Sequence, residues 1–82
     1  MALSLQTLLE LPLNVNAVVA RIRLTGEHQQ RLTELGIRIG GTVRVIQRDA
    51  NQPLMLASGD CRVAINRDIG QKVWVSSQQH NA

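Results

Sequence analysis

The stretch that most constrains the fold is residues 31–46, RLTELGIRIGGTVRVI, in which the spacing of apolar residues changes. Leu32 and Leu35 are three residues apart, as neighbours on one helix face are. Val43 and Val45 are two residues apart, as neighbours on one strand face are. The stretch therefore predicts a helix, a turn and a strand in close succession.

Glycines mark where this change takes place. Gly36 follows Leu35, the last apolar helix residue, and predicts a helix stop because glycine takes a left-handed backbone without steric cost. Gly40 and Gly41 are typical of a turn into the next strand. We expect these four residues to form a structural corner. They are not expected to bind phosphate, because they precede a strand and not the N-terminus of a helix.

The size and composition of the chain predict one small domain. It has 82 residues, so we interpret residues 1–82 as a single domain. It has no Phe or Tyr and 1 Trp, so the core must consist of Leu, Val and Ile. Nine basic and six acidic residues give a formal net charge of +3, and the basic residues are scattered singly. A nucleic-acid surface is usually denser in basic residues and has aromatic residues for stacking.

Compartment signals favour the cytoplasm. Cys61 is the only cysteine, so no internal disulfide can form. No basic residue precedes Arg21, and residues 1–13 are interrupted by polar side chains, unlike a signal peptide. No apolar run approaches the roughly 20 residues that cross a bilayer. We therefore expect a cytoplasmic protein that does not insert into a membrane.

The part of the chain before the corner predicts a helical turn, a strand and a helix. Thr7 and Glu10 have the spacing of a capping box, so we expect one short helical turn within residues 4–11. Residues 17–24 alternate in polarity and predict a half-buried strand. A helix over residues 27–35 follows, with Thr25 as its N-cap. The apolar face of the strand is expected to hold Val18, Ala20, Ile22 and Leu24.

The part after the corner predicts further strands, over residues 42–48, 54–57, 61–66 and 72–75. Residues 67–70 have room for one 3₁₀ turn, and residues 76–82 are expected to fray. About five short strands, with one short helix between the first two, would leave exposed edges in an open sheet. The fold class is therefore predicted as mainly β, a small SH3-like barrel.

Several of these residues together form a pattern that spans most of the chain. It consists of Arg31-Leu32-x-x-Leu35-Gly36-Ile37-x-x-Gly40-x-x-Val43-x-Val45, Pro53-Leu54, Val63-Ala64-Ile65 and Val73-x-Val75. This pattern resembles the FeoA family of ferrous iron transport proteins. Two positions depart from the family pattern. Ile39 stands where the family usually has proline, and Gly70 stands where it usually has alanine near the last strand.

The resemblance implies an SH3-like barrel and a function. It implies a cytosolic accessory protein whose partner is the membrane ferrous iron transporter with its cytosolic GTP-binding domain. We expect this protein to be non-enzymatic and to bind no cofactor. The same fold occurs as an accessory domain of metal-dependent transcriptional repressors, so such a regulatory domain is one alternative. A small basic nucleic-acid-binding barrel is another. Weak self-association through a sheet edge also stays open.

Catalytic and metal-binding chemistry finds little support in the sequence. It contains neither a Gly-x-Ser-x-Gly elbow nor a phosphate-binding loop with lysine. The possible metal ligands lack the paired spacing of a preformed site. We expect Cys61 to be a buried small apolar residue and His28 to be a solvated helix residue. The possible ligands considered are His28, Asp60, Cys61, Asp68 and His80.

A docking surface is the remaining candidate site. Val43 and Val45 should point inward, which places Arg44, Ile46 and Arg48 on the outward side of the same strand. Adjacent Leu54 and Met55 cannot both point into a barrel. An outward apolar patch with a basic rim favours protein docking, unless the helix or the N-terminal turn covers it. We predict a partner-docking surface formed by Arg31, Arg44, Ile46, Arg48, Leu54 and Met55.

Overall fold

The structure is a computed structural model in which residues 5–77 are described. Within these residues the chain forms six strands and two helices, one strand more than predicted. No helix of this part is long and apolar enough to cross a membrane. The elements are β1 (Leu5–Thr7), β2 (Asn16–Ile22), α1 (Gly26–Glu34), β3 (Thr42–Gln47), β4 (Leu54–Ser58), β5 (Cys61–Ile65), α2 (Arg67–Gly70) and β6 (Val73–Ser77).

The strands form one antiparallel sheet around an aliphatic core. Their order is β1-β6-β2-β3-β4-β5, so β1 and β5 are the two edge strands. Strands β2 to β6 all contribute buried side chains to a single core cluster, as the composition predicted. Helix α1 lies between β2 and β3 in the chain and adds one buried residue, Leu32. The mainly β class is confirmed.

Strand β1 was missed because a helical turn begins directly after it. Leu5 pairs with Ser76 of β6, so the chain is extended before Thr7. The Thr7 N–H then donates to the Glu10 carboxylate at 3.0 Å, which is one of the two hydrogen bonds of the predicted capping box. The Leu11 N–H donates to the Thr7 carbonyl at 3.1 Å and completes the turn. A strand of three residues is too short to show a period in the sequence.

A register shift in β2 changes which side chains point inward. The pairing of β2 with β6 skips a residue after Val19, as a β-bulge does. Before the shift, Ala17 and Val19 are buried. The expected inward position of Val18 and Ala20 is therefore wrong. The predicted residues beyond the shift do pack against the core, and these are Ile22 and Leu24.

Helix α1 ends at the predicted glycine. Gly36 has φ +89°. Its N–H donates to the Thr33 carbonyl at 3.0 Å, and the Ile37 N–H donates to the Leu32 carbonyl at 2.8 Å. These two bonds are those of a Schellman motif, and both Leu32 and Ile37 are buried. The helix stop is confirmed, and the residues on both sides of it belong to the core cluster.

The turn into β3 is attached to the neighbouring strand β2. The Gly41 N–H donates to the Arg38 carbonyl at 2.9 Å, and Gly40 has φ +89°, as the third residue of a type II turn requires. The Gly40 N–H donates to the Val19 carbonyl, and the Val19 N–H donates to the Gly41 carbonyl, both at 2.8 Å. The predicted corner is therefore a hydrogen-bonded part of the fold.

The C-terminal part differs from the prediction in two respects. Residues 67–70 form an α-helical turn and not a 3₁₀ turn, because the Gly70 N–H donates to the Asn66 carbonyl four residues earlier at 3.0 Å. Ser76 and Ser77 belong to β6 and pair with β2, so their predicted fraying is wrong. The rest of the predicted tail, residues 78–82, lies outside the described residues.

Candidate docking surface

The outward side of β3, β4 and β5 carries a shallow hollow. Ile46 and Met55 are half-buried in it, whereas Arg44 and Arg62 are exposed. An apolar centre with a basic margin therefore lies on one side of the sheet. We call the residues that line this hollow the outer face, and they are Asn14, Arg44, Ile46, Gln47, Met55, Arg62 and Ala64.

The strand register explains why these side chains are neighbours. Met55 pairs with Gln47 on one side and with Ala64 on the other, which makes one row across three strands. Ala57 pairs with Arg44 on one side and with Arg62 on the other, which makes the next row. Since adjacent strands are about 4.8 Å apart, the backbones of these arginines are separated by about 10 Å. The small Ala57 side chain between them leaves both guanidinium groups accessible.

Arg48 does not belong to the outer face. The register of β3 against β4 shifts between Val45 and Gln47, so the alternation of sides is reversed after Ile46. The Arg48 side chain turns towards the N-terminal turn, where its Nη1 donates to the carbonyl of Leu11 and, at 3.4 Å, to that of Leu8. The expected outward position of Arg48 is wrong, and its guanidinium instead connects β3 to the N-terminal turn.

Leu54 is also placed differently from the prediction. Its exposed fraction is 0%, so it cannot contact a partner while the domain is folded. Met55 is the residue of the pair that faces outward, as the alternation requires. The core position of Leu54 depends on Gly70, since a Cβ atom there would lie 2.6 Å from Leu54 Cδ1. The inclusion of Leu54 in a docking surface is therefore corrected.

Arg31 lies in a second depression, between α1 and β5. Its apolar part is formed by α1, β5 and α2, and its polar margin includes Arg31 and His28 of α1. Ala64 lines both this depression and the outer face, so the two surfaces meet at β5. We call this depression the edge groove, and its residues are His28, Arg31, Leu32, Leu35, Ala64, Ile65, Asn66 and Ile69.

Sequence reasoning missed four residues of the outer face. Arg62 and Ala64 share the outward side of β5 in the polarity alternation, and consecutive hairpins place β5 beside β4. The sequence therefore contained a signal for these two residues. Asn14 had none, because its position depends on a left-handed backbone with φ +64° and on the hydrogen bond from its N–H to the Val45 carbonyl at 2.8 Å. Gln47 joins the face because of the register shift.

The possible metal ligands are dispersed. Within residues 5–77, no three His, Cys, Asp or Glu side chains are grouped as they would be around an ion. His28 is exposed on α1, as expected. Cys61 is exposed too, so its expected burial is wrong. The cause is its place next to the hairpin loop on an edge strand. His80 lies outside the described residues.

A family model and several solved structures connect the chain to one family. Residues 6–77 match the family called FeoA domain. A crystal structure of an iron uptake regulatory protein, FeoA, shares 25% identity with a TM-score of 0.81, over 90% of this chain and 99% of that one. The zinc complex of Stenotrophomonas maltophilia FeoA, described as a procaryotic SH3 domain protein, shares 33% identity with a TM-score of 0.70, over 85% and 88%. The search of curated proteins finds no match.

A repressor shares the fold as well. A manganese-dependent transcriptional repressor has a TM-score of 0.82 at 20% identity, over 94% of this chain but 44% of the repressor. That likeness is one of fold. The family match covers β2 to β6 and both helices, and the SH3-like barrel predicted from the sequence is confirmed. The chain therefore belongs to the FeoA family.

Proposed function

We propose that this chain is a non-enzymatic, cytoplasmic accessory protein of ferrous iron uptake. In this proposal it docks through its outer face on the cytoplasmic part of the membrane ferrous iron transporter and modulates the assembly or the nucleotide turnover of that transporter. Family membership supports the role in iron uptake. The observation that carries the docking proposal is the grouping of Ile46 and Met55 between two exposed arginines.

The physical chemistry of the outer face suits a protein partner. Ile46 and Met55 are only half-buried, so a partner that covers them removes further apolar surface from water, at about 25 cal/mol per Å². Met and Arg are enriched at protein interfaces relative to the rest of a protein surface. Arg44 and Arg62 can form charge-assisted hydrogen bonds at the margin. The face therefore favours binding by apolar contact, with orientation set by the two guanidinium groups.

The competing interpretation was that α1 or the N-terminal turn covers this patch. In the described part of the chain, the lining of the hollow includes no residue of α1. The N-terminal turn is held by Arg48, whose side chain points away from the outer face. Asn14 is the lining residue that comes from the segment between β1 and β2. These contacts favour a face that is open to a partner.

A regulatory domain of a metal-dependent repressor is the second candidate function. The observation that favours it is the fold shared with the manganese-dependent repressor. The identity to that protein is lower than to the Stenotrophomonas maltophilia FeoA protein, 20% against 33%. That FeoA protein is described as possibly acting as a ferrous iron transport activating factor. The transporter is therefore the partner that the comparisons favour.

The proposal is tested by co-purification of the tagged chain with the cytoplasmic part of the transporter, with GDP, with a GTP analogue and without nucleotide. Met55→Asp places a charge in the centre of the outer face and should weaken retention more than about tenfold, as loss of a central interface residue does. Gln30→Asp places the same charge on an exposed position of α1 and should leave retention unchanged.

Two outcomes would contradict the proposal in different ways. If the wild-type chain is not retained in any nucleotide state, the transporter is not the partner. If Met55→Asp is retained as well as Gln30→Asp, with both variants folded by circular dichroism, docking occurs elsewhere than on the outer face.

A further inference from the structure

Strand β5 offers an open edge to another strand. It is the last strand in the order β1-β6-β2-β3-β4-β5, and in the described part of the chain its pairing partner is β4. The other end of the sheet is β1, which has three residues in the described part of the chain, against the five of β5. An edge of this length presents unpaired backbone groups that can form hydrogen bonds with an added strand.

The hairpin geometry shows which backbone groups of β5 are free. Ser58 pairs with Cys61 across the two-residue loop Gly59-Asp60, and Gly59 has φ +63°. A two-residue hairpin turn makes its flanking residues a hydrogen-bonded pair. Hydrogen-bonded and non-hydrogen-bonded pairs alternate along an antiparallel ladder. The N–H and C=O groups of Arg62 and Ala64 therefore point away from β4.

The edge groove lies directly beside these free groups. It has a volume of about 350 Å³ and is lined by Ala64 and Ile65 of β5. Its apolar contribution from the helices comes from Leu32 of α1, from Leu35, the residue that caps the C-terminus of α1, and from Ile69 of α2. Side chains of a strand alternate between two sides. An added strand would direct alternate side chains into this groove and the others towards the outer face.

The charged side chains near the β5 edge determine which kind of added strand is favoured. The charged side chains that line the two surfaces on either side of Ala64 are those of Arg31, Arg44 and Arg62, with His28 beside them. Among residues 5–77, no carboxylate side chain lines either surface. An acidic segment is complementary to this arrangement. A second copy of β5 is not, because edge-to-edge pairing would bring two sets of the same arginines together.

We propose that the open edge of β5 binds an extended acidic segment of a partner protein as an added antiparallel or parallel strand. The segment forms backbone hydrogen bonds with Arg62 and Ala64. Its apolar side chains enter the edge groove, and its carboxylates lie on the side of the outer face, towards Arg62 and Arg44. The inference goes beyond the proposed function, because it concerns the backbone edge of β5 and holds whichever protein supplies the segment.

The probe is an acetylated and amidated hexapeptide that alternates glutamate with valine, titrated into the chain labelled with ¹³C and ¹⁵N and followed by NMR. The shift changes should centre on the amides of Arg62 and Ala64 and on the methyl groups of Leu32 and Leu35. Hydrogen exchange at the Arg62 and Ala64 amides should slow at saturation, because both N–H groups become hydrogen-bonded. The same peptide with lysine in place of glutamate should bind at least about tenfold more weakly, since each arginine then meets a like charge.

Variants of one residue separate backbone pairing from side-chain contact. Ala64→Pro removes an N–H that is free in the isolated chain, and proline is tolerated on edge strands, so the fold should persist. Peptide affinity should fall about tenfold, as expected for a lost backbone hydrogen bond and a blocked edge. Ala64→Thr keeps the N–H and should bind like the wild type.

The proposal is overturned if the glutamate peptide causes no shift changes at millimolar concentration, or if the lysine peptide binds equally well. It is also overturned if Ala64→Pro binds as tightly as Ala64→Thr. If Ala64→Pro does not fold, the exchange rates of the wild-type amides decide: unchanged exchange at Arg62 and Ala64 in the saturated complex rules out strand addition.

Discussion

The corner between α1 and β3 and the outer face of β3, β4 and β5 are adjacent parts of one small barrel with different constraints. In the corner, Gly36 and Gly40 have positive φ, and backbone hydrogen bonds connect the turn to β2. On the outer face, arginines are exposed and Ile46 and Met55 are half-buried. Changes in the corner should therefore alter stability, whereas changes on the outer face should alter binding. The following variants test that division.

The largest effect is expected for Leu32→Ala. Leu32 is 2% exposed and is the α1 residue that packs in the core. Its truncation should lower the free energy of unfolding by about 2–5 kcal/mol. The matched variant on the outer face, Met55→Ala, should cost less than about 1 kcal/mol. Urea unfolding followed by the fluorescence of Trp74, the single tryptophan, measures both. Equal losses would show that Met55 has a core role and would break the comparison.

The second effect concerns two arginines that the sequence does not distinguish. Arg48→Met removes the donor to the carbonyls of Leu8 and Leu11. Its free energy of unfolding should fall by about 1.5–3 kcal/mol, the usual contribution of hydrogen bonds from charged groups. Arg44→Met removes an exposed side chain and should change stability by less than about 0.5 kcal/mol. Thermal or urea unfolding of the two variants checks this difference. If Arg44→Met is the more destabilised variant, the division between structural and surface arginines is wrong.

The corner shows which part of the structure can be predicted from the sequence. The corner was predictable because each local signal agreed: Leu35 ended the helical period, Gly36 allowed the positive φ, and the strand period began after Gly41. Its glycines are needed for backbone conformation, a property of the residue itself. The hydrogen bond from the Ile37 N–H to the Leu32 carbonyl across the helix end is likewise a local consequence of the same pattern.

The outer face was predictable only in part because two bulges change the side to which residues point. A strand pattern assumes strict alternation, and the shifts after Val19 and Val45 break it. Ile46, the apolar residue among those predicted to point outward from β3, lies at the second shift. Arg48 follows that shift and turns inward, which no local signal indicates. Bulge positions depend on the pairing between strands, so they are tertiary information.

The third variant, Gly36→Ala, isolates the backbone requirement of the corner. An added Cβ would have its nearest neighbour, Ser58 Oγ, at 3.7 Å, which is ordinary contact. The loss therefore comes from the positive φ of +89° alone, at about 1–2 kcal/mol. Gly41→Ala is the control for steric contact. Its Cβ would lie 3.1 Å from the Arg38 carbonyl, and Gly41 has no positive φ, so a loss of stability there would come from the close contact and not from the backbone conformation. Urea unfolding of Gly36→Ala with no loss of stability would show that the helix end can rearrange.

The smallest expected effect has the opposite sign and concerns the position where the chain departs from the family pattern. Ile39 is the second residue of the type II turn from Arg38 to Gly41, a position that favours proline. It is 63% exposed, so little packing is lost on substitution. Ile39→Pro should raise the free energy of unfolding by about 0.4–1 kcal/mol. Proline lowers the conformational entropy of the unfolded chain, and the backbone conformation that it requires is the one expected at this position of the turn. Urea unfolding of Ile39→Pro, with Ile39→Ala as the control for the lost side chain, measures this gain. If both variants gain stability, the gain comes from the removal of an exposed apolar group. If the proline variant alone loses stability, the corner is more strained than its hydrogen bonds indicate.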